Sequence, residues 1–208
     1  TTFPISDATI DEWKAIALAG GTHTSPCPYK ITTSVTLGPK KINCDLSVEN
    51  NGNLTLSGMV WVSGNVDFKN SSDVFMDPNL GAKSVAIIAD KESDRINSSQ
   101  INIQNSTTFH DSGTPGSFIF LISANKSAET GGGNTAIDLK NSAHGPVVLY
   151  SNHGLIMIQN SSELRSVTGY KIEMKNSATL IYDEGLESTL FDSGPGGSWS
   201  VAGWKESQ

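Results

Sequence analysis

The sequence is poor in features on which several broad classes of protein depend. Arg95 and Arg165 are its only arginines, and its formal net charge is −7. Nucleic-acid binding requires a concentration of Lys and Arg side chains, so this composition argues against nucleic acid and we expect no such partner. No apolar run reaches the length of a membrane-spanning helix and no signal peptide is recognisable. We therefore expect membrane contact only through an N-terminal anchor missing from this sequence.

Cysteine is also scarce. Cys27 and Cys44 are the only cysteines, and they lie 17 residues apart near the N-terminus. No histidine has the spacing that a zinc site would need beside them. We expect the two cysteines to form a disulfide, which would stabilise the fold by about 3 kcal/mol and indicate an oxidising compartment. Two reduced, buried thiols are the alternative.

What the sequence does contain is a repeated phrase. Six segments share the order apolar, variable, apolar, variable, Asn, and then Ser or Asn. They begin at Leu46, Val66, Ile101, Ile137, Ile156 and Ile172, and their asparagines are Asn50, Asn70, Asn105, Asn141, Asn160 and Asn176. Alternation with period two is typical of a β-strand with one buried face, and the irregular spacing of the copies excludes leucine-rich and helical repeats.

The segments between the copies predict how the strands are arranged. Two further strands lie between successive early copies, as in NLTLSG and VWVSGN, so the chain makes three strands per turn. We therefore predict an all-β fold, a three-sided right-handed parallel β-solenoid whose turns stack about 4.8 Å apart. The prediction is a single domain, residues 1–208, with an N-terminal helix and cap in 1–28, coils in 29–190 and a C-terminal closing strand in 191–208.

Aligning the copies predicts which side chains face the interior. Their first and third positions are all apolar. The second and fourth positions carry charged residues in one copy and uncharged residues in the next, and this alternation runs from the second copy to the last. Like charges on adjacent turns would lie about 5 Å apart and repel, so this alternation indicates that the copies are neighbours in space. Two long segments, Ser71 to Gln100 and Thr107 to Ala136, must then loop out without adding a turn.

The repeated asparagines have two interpretations. Asn tolerates the left-handed backbone conformation that a corner requires, and stacked amides can hydrogen-bond along the axis as a ladder. The alternative is glycan attachment, because N-x-S/T sequences begin at Asn53, Asn70, Asn97, Asn105, Asn125 and Asn160. Several of these matches follow automatically from the repeated phrase, so we favour a structural Asn ladder.

Both ends of the stack need a cap. At the N-terminus, ISDATIDEWKAIALAGG predicts a helix with Ser6 as its N-cap and Gly20 as its end. The second strands of the turns, such as VAIIA and FIFLI, are apolar on both faces. We expect the helix, through Trp13, to cover their outer face; another subunit covering it is the alternative. In the closing strand, Trp199 and Trp204 point to opposite faces, so at least one should anchor in the core; an exposed Trp that serves as a ligand platform is the alternative.

Residues able to do chemistry are present, but the sequence does not arrange them for it. Asp77, Asp111 and Asp192 recur at equivalent corners, where Asx-turns favour Asp, so we interpret them as turn formers; calcium binding or catalysis is the alternative. The histidines share no common spacing and lie at His23, His110, His144 and His153. His110 and Asp111 are adjacent but lack the GxSxG motif of a triad hydrolase. We predict no catalytic, cofactor-binding or metal-binding residues, no cofactor and no enzymatic activity.

Three stretches together resemble a known group of proteins. LSVENNGNLTLSGMVWVSGNVDF, the repeated KNS and QNS corners and the terminal GPGGSWSVAGWKE are similar to the β-solenoid ectodomains of bacterial pilin-like and type IV pilus-associated surface proteins. In that family a hydrophobic N-terminal helix embeds in the membrane or filament, and the solenoid projects outward. The resemblance implies an extracellular, non-enzymatic structural or adhesive subunit at the bacterial cell surface. Its implied partners are other pilus or surface subunits, surface glycans, and host or environmental surfaces.

The contacts of such a subunit would be made by outward side chains and by the loops Lys91 to Gln100 and Lys126 to Asn134. Two other functions fit the same pattern. A polysaccharide-binding or polysaccharide-cleaving β-helix would use one sheet as a groove, and an ice-binding solenoid would carry regular outward Thr ladders. The cytoskeletal bactofilins are also solenoids, but the cysteine pair and the Trp-rich tail fit them poorly.

Overall fold

The structure of the chain is a computed structural model, and it describes residues 3–141, 143–160, 163–164, 166–176, 179–180 and 190–191. These residues form a mostly parallel β-structure with one α-helix, which confirms the all-β, parallel class predicted from the sequence. The predicted closing strand, apart from Phe191, lies outside the described residues, and so do Trp199, Trp204 and the third corner at Asp192.

The described strands are short and follow one another closely. The helix α1 spans Asp7–Ala19, and one 3₁₀ turn spans Pro78–Leu80. The strands are β1 (Thr22–His23), β2 (Tyr29–Ile31), β3 (Ser34–Leu37), β4 (Lys40–Ile42), β5 (Leu46–Glu49), β6 (Asn53–Leu56), β7 (Val60–Val62), β8 (Val66–Lys69), β9 (Asp73–Met76), β10 (Lys83–Ala89), β11 (Ile101–Ile103), β12 (Thr108–His110), β13 (Ile119–Ser123), β14 (Thr135–Leu139), β15 (Val147–Gln159), β16 (Glu163–Leu164), β17 (Ser166–Lys175), β18 (Thr179–Leu180) and β19 (Leu190–Phe191).

The six copies of the repeated phrase pair with one another in parallel and in the same register. They lie in β5, β8, β11, β14, the second half of β15 and β17. Their first residues are partners in the order Leu46, Val66, Ile101, Ile137, Ile156 and Ile172. The two long segments add no strand between the copies, as predicted, because Val66 pairs directly with Ile101 and Ile101 with Ile137.

The other strands of each turn pair in the same way. β1, β4, β7, β10, β13 and the first half of β15 follow one another in parallel, and β15 joins them to the strands of the repeated phrase in one 13-stranded sheet. β3, β6, β9 and β12 form a separate four-stranded parallel sheet. Each early turn of the chain therefore contributes one strand to each of three parallel rows.

The side chains that these rows share form a buried apolar cluster. The first and third positions of the first five copies all belong to one buried cluster, which also receives side chains from the other two rows. Phe68 and Phe109 meet there edge to face, with their ring centroids 5.6 Å apart. Each such side chain contributes roughly 1.5–3 kcal/mol on burial, so the repeated phrase supplies much of the stability of the fold.

The last copy departs from the predicted pattern. Ile172 and Met174 occupy the inward columns, yet they are 42% and 47% exposed. An inward side chain is covered by the turns on both sides of it, and among the described residues β17 pairs only with β15. The expectation that every inward position of the six copies is buried is therefore wrong for the last one.

The helix covers the outer face of the second strands. Ser6 Oγ accepts a hydrogen bond from Thr9 N at 3.1 Å and caps the N-terminus, and Gly20 ends the helix. α1 packs on β4, β7 and β10. Trp13 is only 2% exposed and joins a second apolar cluster with Trp61 and Ile88 on that outer face. The predicted position of the helix is confirmed.

Candidate functional site

The two cysteines form a disulfide at the N-terminal end of the stack, as predicted. Cys27 lies just before β2 and Cys44 just before β5, and these two strands are parallel neighbours. The cysteines therefore occupy the same corner of successive turns, with their Cα atoms 5.9 Å apart. The disulfide closes a loop of one turn of the chain.

The six predicted ladder asparagines all lie at one corner, and each has a positive φ between 53° and 57°. Four links of the ladder are side-chain hydrogen bonds from Nδ2 to Oδ1: Asn70 to Asn50, Asn141 to Asn105, Asn160 to Asn141 and Asn176 to Asn160, at 3.1, 3.5, 2.8 and 3.0 Å. Between Asn70 and Asn105 the contact is through the backbone, since Ser71 N donates to Asn105 O at 3.0 Å. The corner thus uses both the left-handed conformation and the amide stacking that Asn allows.

The glycan interpretation of the N-x-S/T sequences fails at one position. Asn125 has no exposed surface, and its Nδ2 donates to Ile96 O and Ser98 O at 3.0 and 2.7 Å. A folded chain cannot present this amide to a glycosylating enzyme. Three other candidates, Asn70, Asn105 and Asn160, belong to the ladder described above.

The corner aspartates that the structure describes form turns. Asp77 Oδ1 accepts a hydrogen bond from Asn79 N at 2.9 Å, and Asp111 Oδ1 accepts one from Gly113 N at 2.9 Å. Both are the Asx geometry expected of turn formers. His110 does not pair with Asp111; its Nε2 lies 3.0 Å from Asp73 Oδ1, and its ring stacks on Phe75.

The two loops expected to make external contacts pack against each other instead of standing apart. Lys126 N donates to Arg95 O at 2.8 Å, and Asn134 Nδ2 donates to Ile96 O at 2.9 Å. We call residues 90–100 the first excursion and residues 124–134 the second excursion. Buried Asn125 also joins them, as described above. The sequence did not predict this arrangement, because nothing in either segment identifies the other as its partner.

A charged cluster joins the helix to the first excursion. Lys14 is 3% exposed, and its Nζ lies 2.9 Å from Asp11 Oδ1, 2.7 Å from Asp90 Oδ2 and 2.6 Å from Glu92 Oε1. Burial alone would lower the pKa of Lys14, but hydrogen bonds to these three carboxylates raise it to about 12. We call these four residues the Lys14 cluster.

The Lys14 cluster contains the one group of described carboxylates that could hold a metal ion, namely Asp11, Asp90 and Glu92. The ammonium of Lys14 already contacts all three carboxylates. Arg95 completes the neutralisation of Asp90, because its Nε and Nη2 donate to the two carboxylate oxygens, each at 2.7 Å. These hydrogen bonds to Asp90 raise the pKa of Arg95. The cluster therefore acts as an internal ion network.

A cleft of about 240 Å³ opens beside this cluster, between α1, the two excursions and the corner in β15. We call it the helix cleft. Its polar lining includes Asp7, Arg95, Lys126, Glu129, Asn152 and His153. Because these residues come from four separate segments, only the folded chain brings them together.

The corner residues Asn152 and His153 hold the start of the helix. Asn152 Nδ2 donates to Ile5 O and to Asp7 Oδ1 at 3.1 and 2.8 Å, and His153 Nε2 lies 3.0 Å from Asp7 Oδ2. Partial burial would raise the pKa of Asp7, but the hydrogen bonds from Asn152 and His153 outweigh it and lower that pKa. On the other side of the ring, His153 Nδ1 is 2.8 Å from Glu129 Oε2, without the alignment of a hydrogen bond.

Comparison with protein-family models, curated proteins and solved structures gives no match to this chain. Within the part of the chain that the structure describes, there is no helix with the length and hydropathy of a membrane span.

Proposed function

We propose that this chain is a non-enzymatic, extracellular display module, a structural or adhesive subunit of a bacterial surface appendage of the pilus-associated kind. In this proposal the fold is a three-sided right-handed parallel β-solenoid, and its function is to hold surface features at fixed positions on a stiff rod. The observation that carries the proposal is the unbroken parallel register from Leu46 to Ile172.

Rigidity follows from the way the turns are joined. Each turn hydrogen-bonds to the next along its strands, and the buried apolar cluster resists sliding because a slip of one residue would expose both inward columns. The outward side chains on the row of repeated phrases also bind across turns. Asn102 Nδ2 donates to Asp67 Oδ1 at 3.0 Å, and Gln159 Nε2 donates to Asp138 Oδ1 at 2.8 Å. Neutral amides thus separate the charged turns.

The extracellular location is supported by the disulfide between Cys27 and Cys44, because such bonds persist in oxidising compartments. The resemblance of the repeated corners to pilus-associated ectodomains supports the appendage. The test is immunogold labelling of intact cells of the organism that encodes the chain, with an antibody raised against the purified protein. Labelling of surface filaments is expected, and labelling confined to the cytoplasm of sectioned cells would overturn the proposal.

The second candidate function is polysaccharide binding or cleavage, and the helix cleft is the observation in its favour. A glycan array and an assay of reducing-sugar release by the purified chain separate the two activities. Release of reducing ends would refute the non-enzymatic role, whereas binding without release is compatible with an adhesive subunit. The third candidate, ice binding, predicts thermal hysteresis, which we do not expect from outward turns that carry Asp67, Asp138 and Glu173.

A further inference from the structure

The strand β17 carries an exposed apolar edge at the C-terminal end of the stack. Tyr170, Ile172 and Met174 are 52%, 42% and 47% exposed, and they are three of the five large apolar side chains that are exposed among the described residues. β17 pairs on one side with β15, and no described strand pairs with its other side. That open side presents backbone donors and acceptors next to apolar side chains.

The printed sequence contains no seventh copy of the repeated phrase that could pair with this edge. Residues 177–208 include no asparagine, so the order that ends in Asn followed by Ser or Asn does not occur there. An exposed strand edge with apolar side chains is a template for pairing with another chain. A strand of the same pattern must therefore come from another molecule.

The opposite end of the stack restricts how two copies can meet. Ile31 and Leu37 are inward residues of the first turn, and they are only 1% and 7% exposed although no described strand pairs with the outer side of β2 or β3. The N-terminal end thus lacks the apolar surface that head-to-tail stacking would bury. Contact between two C-terminal ends is favoured instead, and a two-fold axis generates this contact.

The charges along β17 select a register for such a contact. Lys171, Glu173 and Lys175 alternate with the apolar residues. In an antiparallel pair, a two-fold axis at Ile172 places Lys171 opposite Glu173 of the second copy, and Glu173 opposite its Lys171. An axis at Glu173 would instead place the two glutamates opposite each other and Lys171 opposite Lys175, and like charges directly opposite each other are destabilising.

The register centred on Ile172 also matches the apolar residues. Ile172 lies opposite Ile172 of the second copy, and Tyr170 lies opposite its Met174, so all three exposed apolar side chains gain an apolar neighbour. An axis at Met174 would pair Glu173 with a lysine as well, but it would place Ile172 opposite the polar Asn176. Both charge and apolar contact therefore favour the axis at Ile172.

The ion pairs within β17 leave its charges able to make these contacts. Lys171 Nζ lies 2.8 Å from Glu173 Oε1, and Lys175 Nζ lies 3.5 Å from Glu173 Oε2. The side chains of Lys171 and Lys175 are 59% and 49% exposed. Because exposed ion pairs contribute only about 0–1 kcal/mol, rearranging them costs little. The two carboxylate oxygens of Glu173 can also accept from more than one ammonium.

We propose that the open edge of β17 binds a second copy of the chain, as an antiparallel pair of strands with a two-fold axis at Ile172. In the resulting dimer the two stacks meet at their C-terminal ends, and the sheet of one copy continues into the other. One short strand from each copy buries less than the roughly 1,200–2,000 Å² of stable interfaces, so the dimer is weak and reversible. This inference goes beyond the display role and does not depend on it.

The test is sedimentation equilibrium of the full chain over a series of micromolar to millimolar concentrations. We expect the average mass to rise with concentration and to level off at the mass of two chains. A chain that stays monomeric throughout would overturn the proposal, and that is the result expected if residues 192–208 of the same chain cover the edge. A mass that rises beyond two chains would also overturn it, because a two-fold contact closes at the dimer.

Two charge reversals make the test specific to the proposed register. Lys171→Glu places a glutamate opposite Glu173, and Glu173→Lys places a lysine opposite Lys171. Each variant alone should dimerise at least about tenfold more weakly than the wild type. An equimolar mixture restores opposite charges at both contacts, so mixed dimers should form with about the affinity of the wild type. A mixture that associates no more strongly than the separate variants would contradict the two-fold pair.

Lys175→Glu is the matched control, because it makes the same change of charge as Lys171→Glu on the same strand. Lys175 lies opposite Gly169 in the register centred on Ile172, but opposite Glu173 in the register centred on Met174. The control substitution should therefore not weaken the dimer. A loss of affinity as large as that of Lys171→Glu would contradict the proposed register. Circular dichroism of each variant checks that the fold is retained.

Discussion

Ile137 and Ile172 occupy the same position of the same repeated phrase, yet only one of them is in the core. Ile137 has no exposed surface, whereas Ile172 is 42% exposed. β14 is paired on both sides, with β11 and β15, while β17 pairs with β15 alone among the described residues. The comparison teaches that the phrase sets the direction in which a side chain points, and that the neighbouring turns supply its burial.

The largest effect we expect comes from the same substitution at these two positions. Ile137→Ala should lower the free energy of unfolding by about 2–5 kcal/mol, because it removes buried methyl groups and leaves a cavity between two turns. Ile172→Ala should cost less than about 1 kcal/mol, because much of that side chain is already in water. Chemical denaturation followed by circular dichroism measures both values, and equal losses would refute the role assigned to the neighbouring turns.

The N-terminal end of the stack is stabilised by a disulfide, whereas the inward residues of the last copy of the repeated phrase are exposed. Replacing both Cys27 and Cys44 by Ser should lower the free energy of unfolding by about 3 kcal/mol, because the disulfide closes a loop of 17 residues. The measurement is denaturation of the double variant beside the wild-type protein with and without a reducing agent. The reducing agent should lower the denaturation midpoint of the wild type and leave that of the double variant unchanged. A wild-type midpoint that does not change on reduction would contradict the prediction.

The helix is held to the stack by charge as well as by apolar contact. Lys14→Met should lower the free energy of unfolding by about 2–3 kcal/mol, at or below the lower end of the range for breaking a buried ion pair, because Arg95 still neutralises Asp90. Lys41→Met is the control, since the ammonium groups of Lys14 and Lys41 both lie over the Trp61 ring but Lys41 makes no ion pair with a described residue. An equal loss of unfolding free energy in the two variants would show that the ion pairs of Lys14 with the carboxylates contribute nothing to stability.

The same cluster predicts that the stability of the folded chain depends on pH in the alkaline range. The pKa of Lys14 is raised from 10.5 to about 12 in the folded chain, so folding is favoured by the bound proton. This contribution is fully present below about pH 10.5 and is lost as the pH rises through about 12. Denaturation of the wild type and of Lys14→Met at a series of pH values across this window should show that the free energy of unfolding falls more steeply with pH for the wild type. Parallel curves would contradict the prediction.

The smallest effect concerns the Asn ladder. Asn141 donates to Asn105 and accepts from Asn160, whereas Asn176, in the last copy, donates to Asn160. Both have φ near 55°, where Gly is tolerated, so Asn→Gly isolates the loss of the amide. We expect a loss of about 1 kcal/mol at Asn141 and about half of that at Asn176, measured by thermal denaturation. A larger loss at Asn176 would contradict a ladder that stabilises through hydrogen bonds between neighbouring turns.

The repeated phrase allowed much of the fold to be predicted. Period-two alternation identifies a strand with one buried face, and charged copies separated by neutral ones indicated that the copies stack. The spacing of Cys27 and Cys44 by about one turn predicted their disulfide. The helix could be placed because strands such as β10 are apolar on both faces and need a cover.

The candidate site could not be predicted in the same way. Lys14 and Glu92 are 78 residues apart, and on the sequence alone Lys14 is an ordinary charged residue of an amphipathic helix. The excursions carry no repeated pattern, so their contacts through Asn125 and Asn134 have no counterpart in sequence spacing. One signal was available: His153 follows the strand PVVLYSN where the phrase begins again, which places it at a corner beside the helix.

The sequence by itself determined the strands, their parallel order, the corner asparagines and the disulfide, because each depends on residue type and on spacing within one or two turns of the chain. Only the tertiary structure decided which inward residues are buried, how Lys14 is neutralised and which side chains line the helix cleft. These features depend on surfaces that meet from distant parts of the chain, and the burial and charge of a residue are properties of all its neighbours together.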